Sequence, residues 1–395
     1  MIKQLKSVFR PAINEYKYKK MMQQQDNLFE CIKNENFQPI DNICPKKINS
    51  VGFVLPRMVP GGGGCTSILR IATYLEEKEC KVFYTTYIKT KSEKEFKKTA
   101  NDNLAGYKGT YLDIEEFEKK SFDVVVATNW PSAYRVKKMQ GYKMYFVQDY
   151  EPYFHEHGDM YYLAENTYKL GFHMVSLGQW NAQQIHNECK IANVDCIDFP
   201  YNRDEYVFKE RNYMEYRMKN EIRLAVYCKQ NSKRLPLLTQ MLLLQLKELF
   251  ATKNHVELKI YIFGFPKECK LVVGENLGLL NKSELLELYQ KCDFGMVSSV
   301  TNISLVPYEM LATGLPLIEF ESGTFASFFP EGSAILTDFN CDKLYQELME
   351  CIKKPEIITE RMSKALEYMN GLDWQKTCHQ FWDILQNVCL KDNEE

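Results

Sequence analysis

Lys229, Lys233 and Arg234 fall within one short stretch, Cys228-Lys-Gln-Asn-Ser-Lys-Arg234, between the apolar run Arg223–Tyr227 and a long amphipathic segment from Leu235 to about Phe250. A cationic loop between a strand and a helix start suits a diphosphate twice over, by charge and by the helix dipole. A solvated basic loop is the plainer alternative. Glu309 lies one turn inside another helix start, after the apolar run Phe294–Val297, a small polar turn and Pro307; that helix should stop at Gly314. There a carboxylate can accept hydrogen bonds from a ribose diol. The free N–H groups of the turn and helix start suit a phosphate.

Two further stretches carry chemistry. Pro60-Gly-Gly-Gly-Gly-Cys-Thr66 offers Gly62, Gly63 and Gly64, which let a backbone come close to a phosphate or sugar, with Thr66 as a cap for the next helix. The loop lacks the Gly-x-Gly-x-x-Gly spacing and the following acid that dinucleotide binding requires, so no nicotinamide cofactor is expected. From Asp149 to Glu165 the chain is dense in carboxylates and rings. Asp149, Glu151 and Glu165 could accept from sugar hydroxyls, and Tyr150, Tyr153, Phe154, His155, His157, Tyr161 and Tyr162 could stack on a sugar ring. His155, His157 and Asp159 lack the further ligands a metal site needs, and no metal is expected.

These residues need strands to carry them. Short apolar runs at Val51–Leu55, Val82–Thr86, Phe122–Ala127, Met144–Val147 and Val194–Phe199 read as buried strands, with a helix at Gln179–Asn187. A tyrosine-rich, charged segment without clear period, Pro200–Asn220, reads as a linker. A second series follows: strands at Arg223–Tyr227, Lys259–Phe263, Asn276–Leu280, Phe294–Val297 and Ala334–Leu336. Asn281-Lys-Ser-Glu284 has capping-box spacing for a helix over Ser283–Lys291. Helices are expected at about Cys341–Lys353 and Glu356–Met369, and a last one at Trp374–Val388. In an open α/β sheet ligands sit beyond the carboxyl ends of the strands, where the loops carrying Asp149, Lys229 and Glu309 should meet.

The bulk numbers set bounds. A chain of 395 residues, 45% hydrophobic and 26% charged, fits a globular protein of two or three domains. Its net charge of −2 speaks against general nucleic-acid binding. No apolar run reaches the ~18 residues of a membrane span, and the start lacks a signal-peptide core, so a cytoplasmic protein is expected. The 13 cysteines are scattered with no Cys-x-x-Cys pair, the pattern of buried thiols in a reducing compartment. Residues 1–48 read as a helical lead-in. Its Lys17, Lys19, Lys20 and nearby tyrosines could touch an anionic membrane surface, with a solvated helix as the simpler reading.

The segment Ser304-Leu-Val-Pro-Tyr-Glu-Met-Leu-Ala-Thr-Gly-Leu-Pro-Leu-Ile318 resembles the donor-binding segment of retaining, two-domain (GT-B) glycosyltransferases of family four. Its Pro and Glu-Met resemble more particularly the WsaF-type rhamnosyltransferases, which build bacterial surface polysaccharides from dTDP-rhamnose. Tyr145-Phe-Val-Gln-Asp-Tyr-Glu-Pro-Tyr-Phe154, Ala164-Glu-Asn-Thr-Tyr168, Gly171-Phe172 and Asn129-Trp-Pro-Ser-Ala-Tyr134 are similar to the same type, in the same order. The resemblance covers nearly all of residues 50–390.

It implies two Rossmann-like α/β domains facing a cleft. The expected division is a lead-in over 1–48, an acceptor-binding domain over 49–215, a nucleotide-sugar-binding domain over 216–371, and a helix over 372–395 packing back on the first domain. It also implies a nucleotide-sugar donor, dTDP-rhamnose first, a glycan acceptor, lipid-linked or free, and no cofactor. The family's basic residue falls on Lys229, with Lys233 and Arg234 beside it. These cations would stabilise the leaving diphosphate. The leaving phosphate oxygen can itself take the acceptor proton. If an enzyme base exists it is Asp149, with Glu151 or Glu165 orienting the acceptor, and the acceptor set is Trp130, Tyr150, Tyr153, His155 and Glu165.

The sequence departs from the family twice. Leu279 stands where many relatives have a lysine, which leaves Lys282 as substitute. The glutamate expected eight positions before Glu309 is Thr301, so the sugar should be held by backbone N–H groups and hydroxyls near Asn302 and Ser304. Donors based on UDP or GDP, and a non-catalytic sugar-nucleotide-binding subunit, remain the alternatives.

Overall fold

Val51, Phe53, Val54 and Leu55 are buried to the last atom on both sides of their strand, the mark of a parallel sheet covered by helices on each face. The computed structural model describes residues 15–16, 18–19, 22, 26, 28–88, 92–201, 205–206, 208–230, 232–253 and 256–390. Its first sheet has seven parallel strands: β1 (Ser50–Leu55), β2 (Lys81–Thr86), β3 (Thr110–Tyr111), β4 (Val124–Ala127), β5 (Tyr142–Val147), β6 (His173–Leu177) and β7 (Val194–Ile197). Their order across the sheet is β3-β2-β1-β4-β5-β6-β7. The helices between them are α1 (Gly63–Glu77), α2 (Glu93–Asn103), α3 (Ile114–Lys119), α4 (Trp130–Val136), α5 (Asp159–Thr167) and α6 (Gln179–Cys189). Of these, β3, β6, α2, α3, α4 and α5 go beyond the sequence reading.

The second sheet is also parallel, in the order β10-β9-β8-β11-β12-β13. It comprises β8 (Glu221–Tyr227), β9 (Glu257–Phe263), β10 (Glu275–Gly278), β11 (Phe294–Met296), β12 (Leu317–Phe320) and β13 (Ile335–Thr337). Its helices are α7 (Pro236–Lys253), α8 (Lys282–Lys291), α9 (Val306–Ala312), α10 (Cys341–Lys353) and α11 (Glu356–Met369), and the chain continues into α12 (Trp374–Leu390). In both sheets the order turns back at the first strand of the unit, which opens a crevice at the strands' carboxyl ends.

Local chemistry explains the boundaries. Asn281 accepts from the Glu284 N–H at 3.1 Å and Glu284 accepts from the Asn281 N–H at 2.7 Å, so the capping box starts α8 as its spacing required. α9 stops where Gly314 takes a φ of +77°. Thr66 does not cap α1. The helix begins earlier, at Gly63, and Thr66 Oγ1 donates to the Gly62 carbonyl at 3.2 Å from within the first turn.

The segment between the sheets is packed rather than loose. Tyr213 Oη donates to Gly314 O at 2.7 Å and Tyr216 Oη to Asp293 O at 2.9 Å, while Arg211 caps the carbonyls of Tyr289 and Cys292. Its aperiodic sequence reflects tyrosines that bury their rings against the second sheet and direct their hydroxyls to loop carbonyls.

α12 returns to the first domain. Phe381 meets Phe146 edge-on at 5.9 Å, the Arg70 guanidinium lies over Trp374 at 5.2 Å, and Gln380 Oε1 accepts from the Asp198 N–H at 2.9 Å. Phe381, Leu385 and Val388 are buried along one face, each contributing about 1.5–3 kcal/mol. At the other end, the lead-in is helical at 28–32 and then extends along the first domain, where the Ile40 N–H bonds Leu170 O and Asn42 exchanges two hydrogen bonds with the Lys143 backbone. Lys19 pairs with Glu15 in solvent; Lys17 and Lys20 lie outside the described residues. All 13 cysteines are free thiols, mostly buried.

Candidate active site

The loops at the carboxyl ends of the two sheets enclose a cleft of about 710 Å³. The first domain lines it with Gly61, Gly63 and Gly64 of the glycine loop, Thr128 after β4, and Gln148, Asp149 and Glu151 after β5. The second lines it with Tyr227, Lys229, Lys233 and Arg234 after β8, Phe263 and Gly264 after β9, Leu279, Leu280 and Leu285 around the start of α8, and Asn302, Ser304, Leu305 and Glu309 around α9.

All three cations line this space, and they differ in what holds them. Lys229 is exposed, with its ammonium 5.3 Å from the Tyr227 ring, and it forms no ion pair among the described residues. Lys233 lies over the Phe154 ring at 4.3 Å and its ammonium is 3.2 Å from Asp149 Oδ2. Arg234 is different. It is only 3% exposed, and its guanidinium donates to Ser298 O, Ser299 Oγ, Asn302 O and Asn302 Oδ1 at 3.1–3.3 Å. A buried guanidinium needs acceptors for its fork of donors, and the 298–302 loop supplies them. Arg234 braces that loop rather than standing free for a phosphate.

Behind the brace lies a carboxylate that sequence reasoning missed. Glu319 on β12 is fully buried and accepts from Ser299 Oγ at 2.6 Å, the Ser299 N–H at 3.1 Å and the Phe320 N–H at 3.0 Å. Burial pushes its carboxyl up to about 7 against the pull of those hydrogen bonds and of Arg234. The signal was present in the sequence: an acid in the middle of the apolar run Leu315–Phe320 has to be solvated by something.

Ser304, at the end of the braced loop, has a φ of +59°, in the left-handed region that is strained for a residue with a Cβ. Its hydroxyl oxygen is buried without a hydrogen-bond partner among the described residues, and Ser304 lies in the lining of the cleft. Glu309 on α9 accepts from Tyr289 Oη at 3.4 Å and is also hydrogen-bonded by Tyr206. Burial pushes its carboxyl up to about 7, opposed by those two phenols.

On the opposite wall, Asp149 accepts from Lys233 and from Thr301 Oγ1 at 3.1 Å, and Asn302 Nδ2 donates to Gln148 O at 3.0 Å. The two domains are therefore joined across the cleft by side chains of both. Burial raises the Asp149 carboxyl, and the Lys233 and Arg234 charges oppose the rise. Glu151 accepts from the Trp130 N–H at 2.5 Å and Tyr145 Oη at 3.1 Å, and burial pushes its carboxyl up to about 8. A carboxyl of that pKa holds its proton at neutral pH, which suits a hydrogen-bond donor better than a base.

Several residues expected at the site lie elsewhere. Tyr150 is wholly buried, its ring stacked on Tyr168 at 5.6 Å, and offers no face to a ligand. Trp130 is buried against Tyr134 and His155, and serves Glu151 through its backbone N–H. His155 meets Trp130 edge-on at 5.7 Å, and burial lowers its pKa. His157 packs instead on Tyr161 and Tyr162. Tyr153 stands beside Tyr150 and Trp180, half exposed, and Glu165 pairs with Lys169 at 2.6 Å. None of Trp130, Tyr150, Tyr153, His155 and Glu165 lines the cleft. Lys282 pairs with Glu205 at 3.5 Å, outside the lining. Gly62 is likewise set back, while a Cβ on Gly64 would come within 3.1 Å of the Gln148 side chain, and one on Gly63 within 3.8 Å of Leu305 in the second domain.

No family model matches the chain. Over 261 residues it is 27% identical to the O-antigen biosynthesis protein RfbC of Myxococcus xanthus, which covers 64% of this chain but only 20% of that protein. Among solved structures it is similar to Anabaena Alr3699/HepE in complex with UDP-glucose (TM-score 0.64, 11% identity, 86% of this chain and 99% of that one). It is similar also to TarM (TM-score 0.65, 10% identity, 88% and 100%) and to WaaG, a glycosyltransferase involved in lipopolysaccharide biosynthesis (TM-score 0.59, 16% identity, 85% and 99%). With two parallel sheets opening on one cleft and a last helix that crosses back, the chain has the GT-B fold of glycosyltransferases.

Proposed function

We propose that the protein is a retaining glycosyltransferase of family four, of the WsaF type, that moves L-rhamnose from dTDP-rhamnose to a growing bacterial surface glycan. The observation that carries the reading is that Lys229, Lys233 and Glu309 open onto one cleft with an apolar end. A nucleoside diphosphate has matching parts. Its charged centre meets the two lysines, its flat base meets Phe263, Leu280 and Leu285, and its sugar hydroxyl meets Glu309. The transferred sugar then lies toward Ser304, Asn302 and the glycine loop.

As the bond between sugar and phosphate breaks, negative charge grows on the leaving diphosphate. Lys229 and Lys233 stabilise that charge from the wall of the cleft. Arg234 and Glu319 hold the 298–304 loop in place from behind. In a same-face substitution the departing phosphate oxygen takes the proton of the attacking hydroxyl, so Asp149 need not act as the base. Protonated Glu151 donates a hydrogen bond on the acceptor side.

The similarity to an O-antigen biosynthesis protein supports a surface glycan as product, and a solved neighbour that carries UDP-glucose supports the second reading, a UDP-sugar donor. Incubation of the protein with dTDP-rhamnose or UDP-glucose and a rhamnose-terminated acceptor tests both. Release of dTDP and a product one sugar longer is the expected result. Release of UDP alone moves the donor to the second reading, and binding without release of either nucleotide rejects catalysis.

A further inference from the structure

We propose that Asp149 is an internal competitor for the donor's diphosphate, a reading of regulation that rests on the transferase assignment above. Its carboxylate pairs with Lys233, and an arriving diphosphate takes that lysine over.

Three observations carry this. First, Asp149 and Lys233 come from different domains, both line the cleft, and their side chains are only 13% and 23% exposed. A carboxylate in that position presents to Lys233 what a phosphate oxygen presents: an anionic acceptor at hydrogen-bond distance. Second, the contact is not needed to hold the domains together at this point. Asn302 Nδ2 already donates to Gln148 O from one loop to the other, and α12 bridges the domains at their backs. Third, Lys233 is the one of the three cations that an acid of the other domain holds, and Asp149 is its only ion-pair partner among the described residues. Arg234 is bound into the 298–302 loop, and Lys229 stands apart over Tyr227.

Electrostatics gives the direction. A diphosphate carries more negative charge than one carboxylate and binds two lysines where Asp149 binds one, so it wins Lys233 when present. Asp149 then keeps Thr301 as its partner. Donor affinity is held down by this competition, and the cleft does not close its cation site on stray anions of single charge. Removing the carboxylate therefore tightens nucleotide binding, the opposite of what loss of a ligand-binding acid would do.

The test is titration calorimetry of the full chain with dTDP and with UDP. Asp149→Asn is expected to bind the nucleotide about tenfold tighter, and Lys233→Met about tenfold weaker. In the double variant the gain disappears, leaving affinity within about twofold of Lys233→Met alone, because the competition needs its lysine. Thr301→Val unpins the carboxylate without removing its charge and is expected to tighten binding about threefold. It carries the test if Asp149→Asn does not fold. A wild-type protein that binds neither nucleotide overturns the transferase reading and this inference with it. A wild type that binds, with an Asp149→Asn variant that binds no tighter or whose gain survives the loss of Lys233, overturns this inference alone.

Discussion

Ser299 Oγ donates to Glu319 Oε1 at 2.6 Å while itself accepting from Arg234 at 3.1 Å, so a hydroxyl links a buried carboxylate to a buried guanidinium behind the loop that faces the cleft. The chain of contacts ties the position of residues 298–304 to a charge with no solvent access.

That link gives stability a pH dependence. Burial raises the carboxyls of Glu319 and Glu309 from 4.5 to about 7, and that of Glu151 to about 8. Each binds its proton more tightly folded than unfolded. Their contribution is complete below about 4.5 and is lost as pH rises through about 7 to 8. Urea unfolding is expected to show Glu319→Gln losing less stability relative to wild type at pH 8 than at pH 5. The wild-type pH slope should flatten in that variant by on the order of 2–3 kcal/mol. An unchanged slope would show that Glu319 is ionised throughout.

Glu319→Ala is a harsher change, since it strands the Ser299 and Phe320 N–H groups in the core. A loss of about 2–4 kcal/mol is expected, measured by the same unfolding. Arg234→Lys is expected to cost about 2 kcal/mol for a related reason, because an ammonium cannot reach four acceptors placed for a planar fork.

Lys229 and Arg234 should separate in kinetics. Under the proposed function Lys229→Met removes a charge from beside the leaving diphosphate, and kcat is expected to fall roughly 100-fold with a smaller change in KM. Arg234→Lys displaces the loop instead and should raise KM and lower kcat together. Steady-state assays over a range of donor concentration distinguish the two patterns.

The proposed function has Glu309 meet the sugar of the nucleoside. UDP offers it two ribose hydroxyls and dTDP one, so Glu309→Gln is expected to weaken UDP about tenfold and dTDP about threefold, by calorimetry. Equal losses would mean that Glu309 does not touch the pentose.

Ser304 sets stability against function. Glycine there relieves the left-handed backbone and is expected to stabilise the fold by about 1 kcal/mol, while removing a hydroxyl with no partner among the described residues. A higher Tm with slower transfer is the expected result. A gain in Tm with unchanged transfer would leave that hydroxyl without a role.

Much of the scaffold was determined by sequence alone. Runs such as Val51–Leu55 and Phe294–Val297 cannot be solvated and become central strands, and the Asn281 and Glu284 side chains cap α8 from three residues apart. The basic stretch after β8 was legible in the same way, as was Glu309 one turn inside a helix. All of these are local facts. What each side chain touches was decided by the tertiary structure. Tyr150 and Tyr153 look alike in sequence, yet one is sealed against Tyr168 and the other, packed edge-on against the first at 4.8 Å, is left half exposed as the outer ring of the pair. Lys233 and Arg234 are neighbours, yet one meets Asp149 from the other domain and the other braces its own. Such partners lie far apart in the chain and meet only once two parallel sheets with long crossovers bring their loops to one cleft, and no periodicity in the sequence records that meeting.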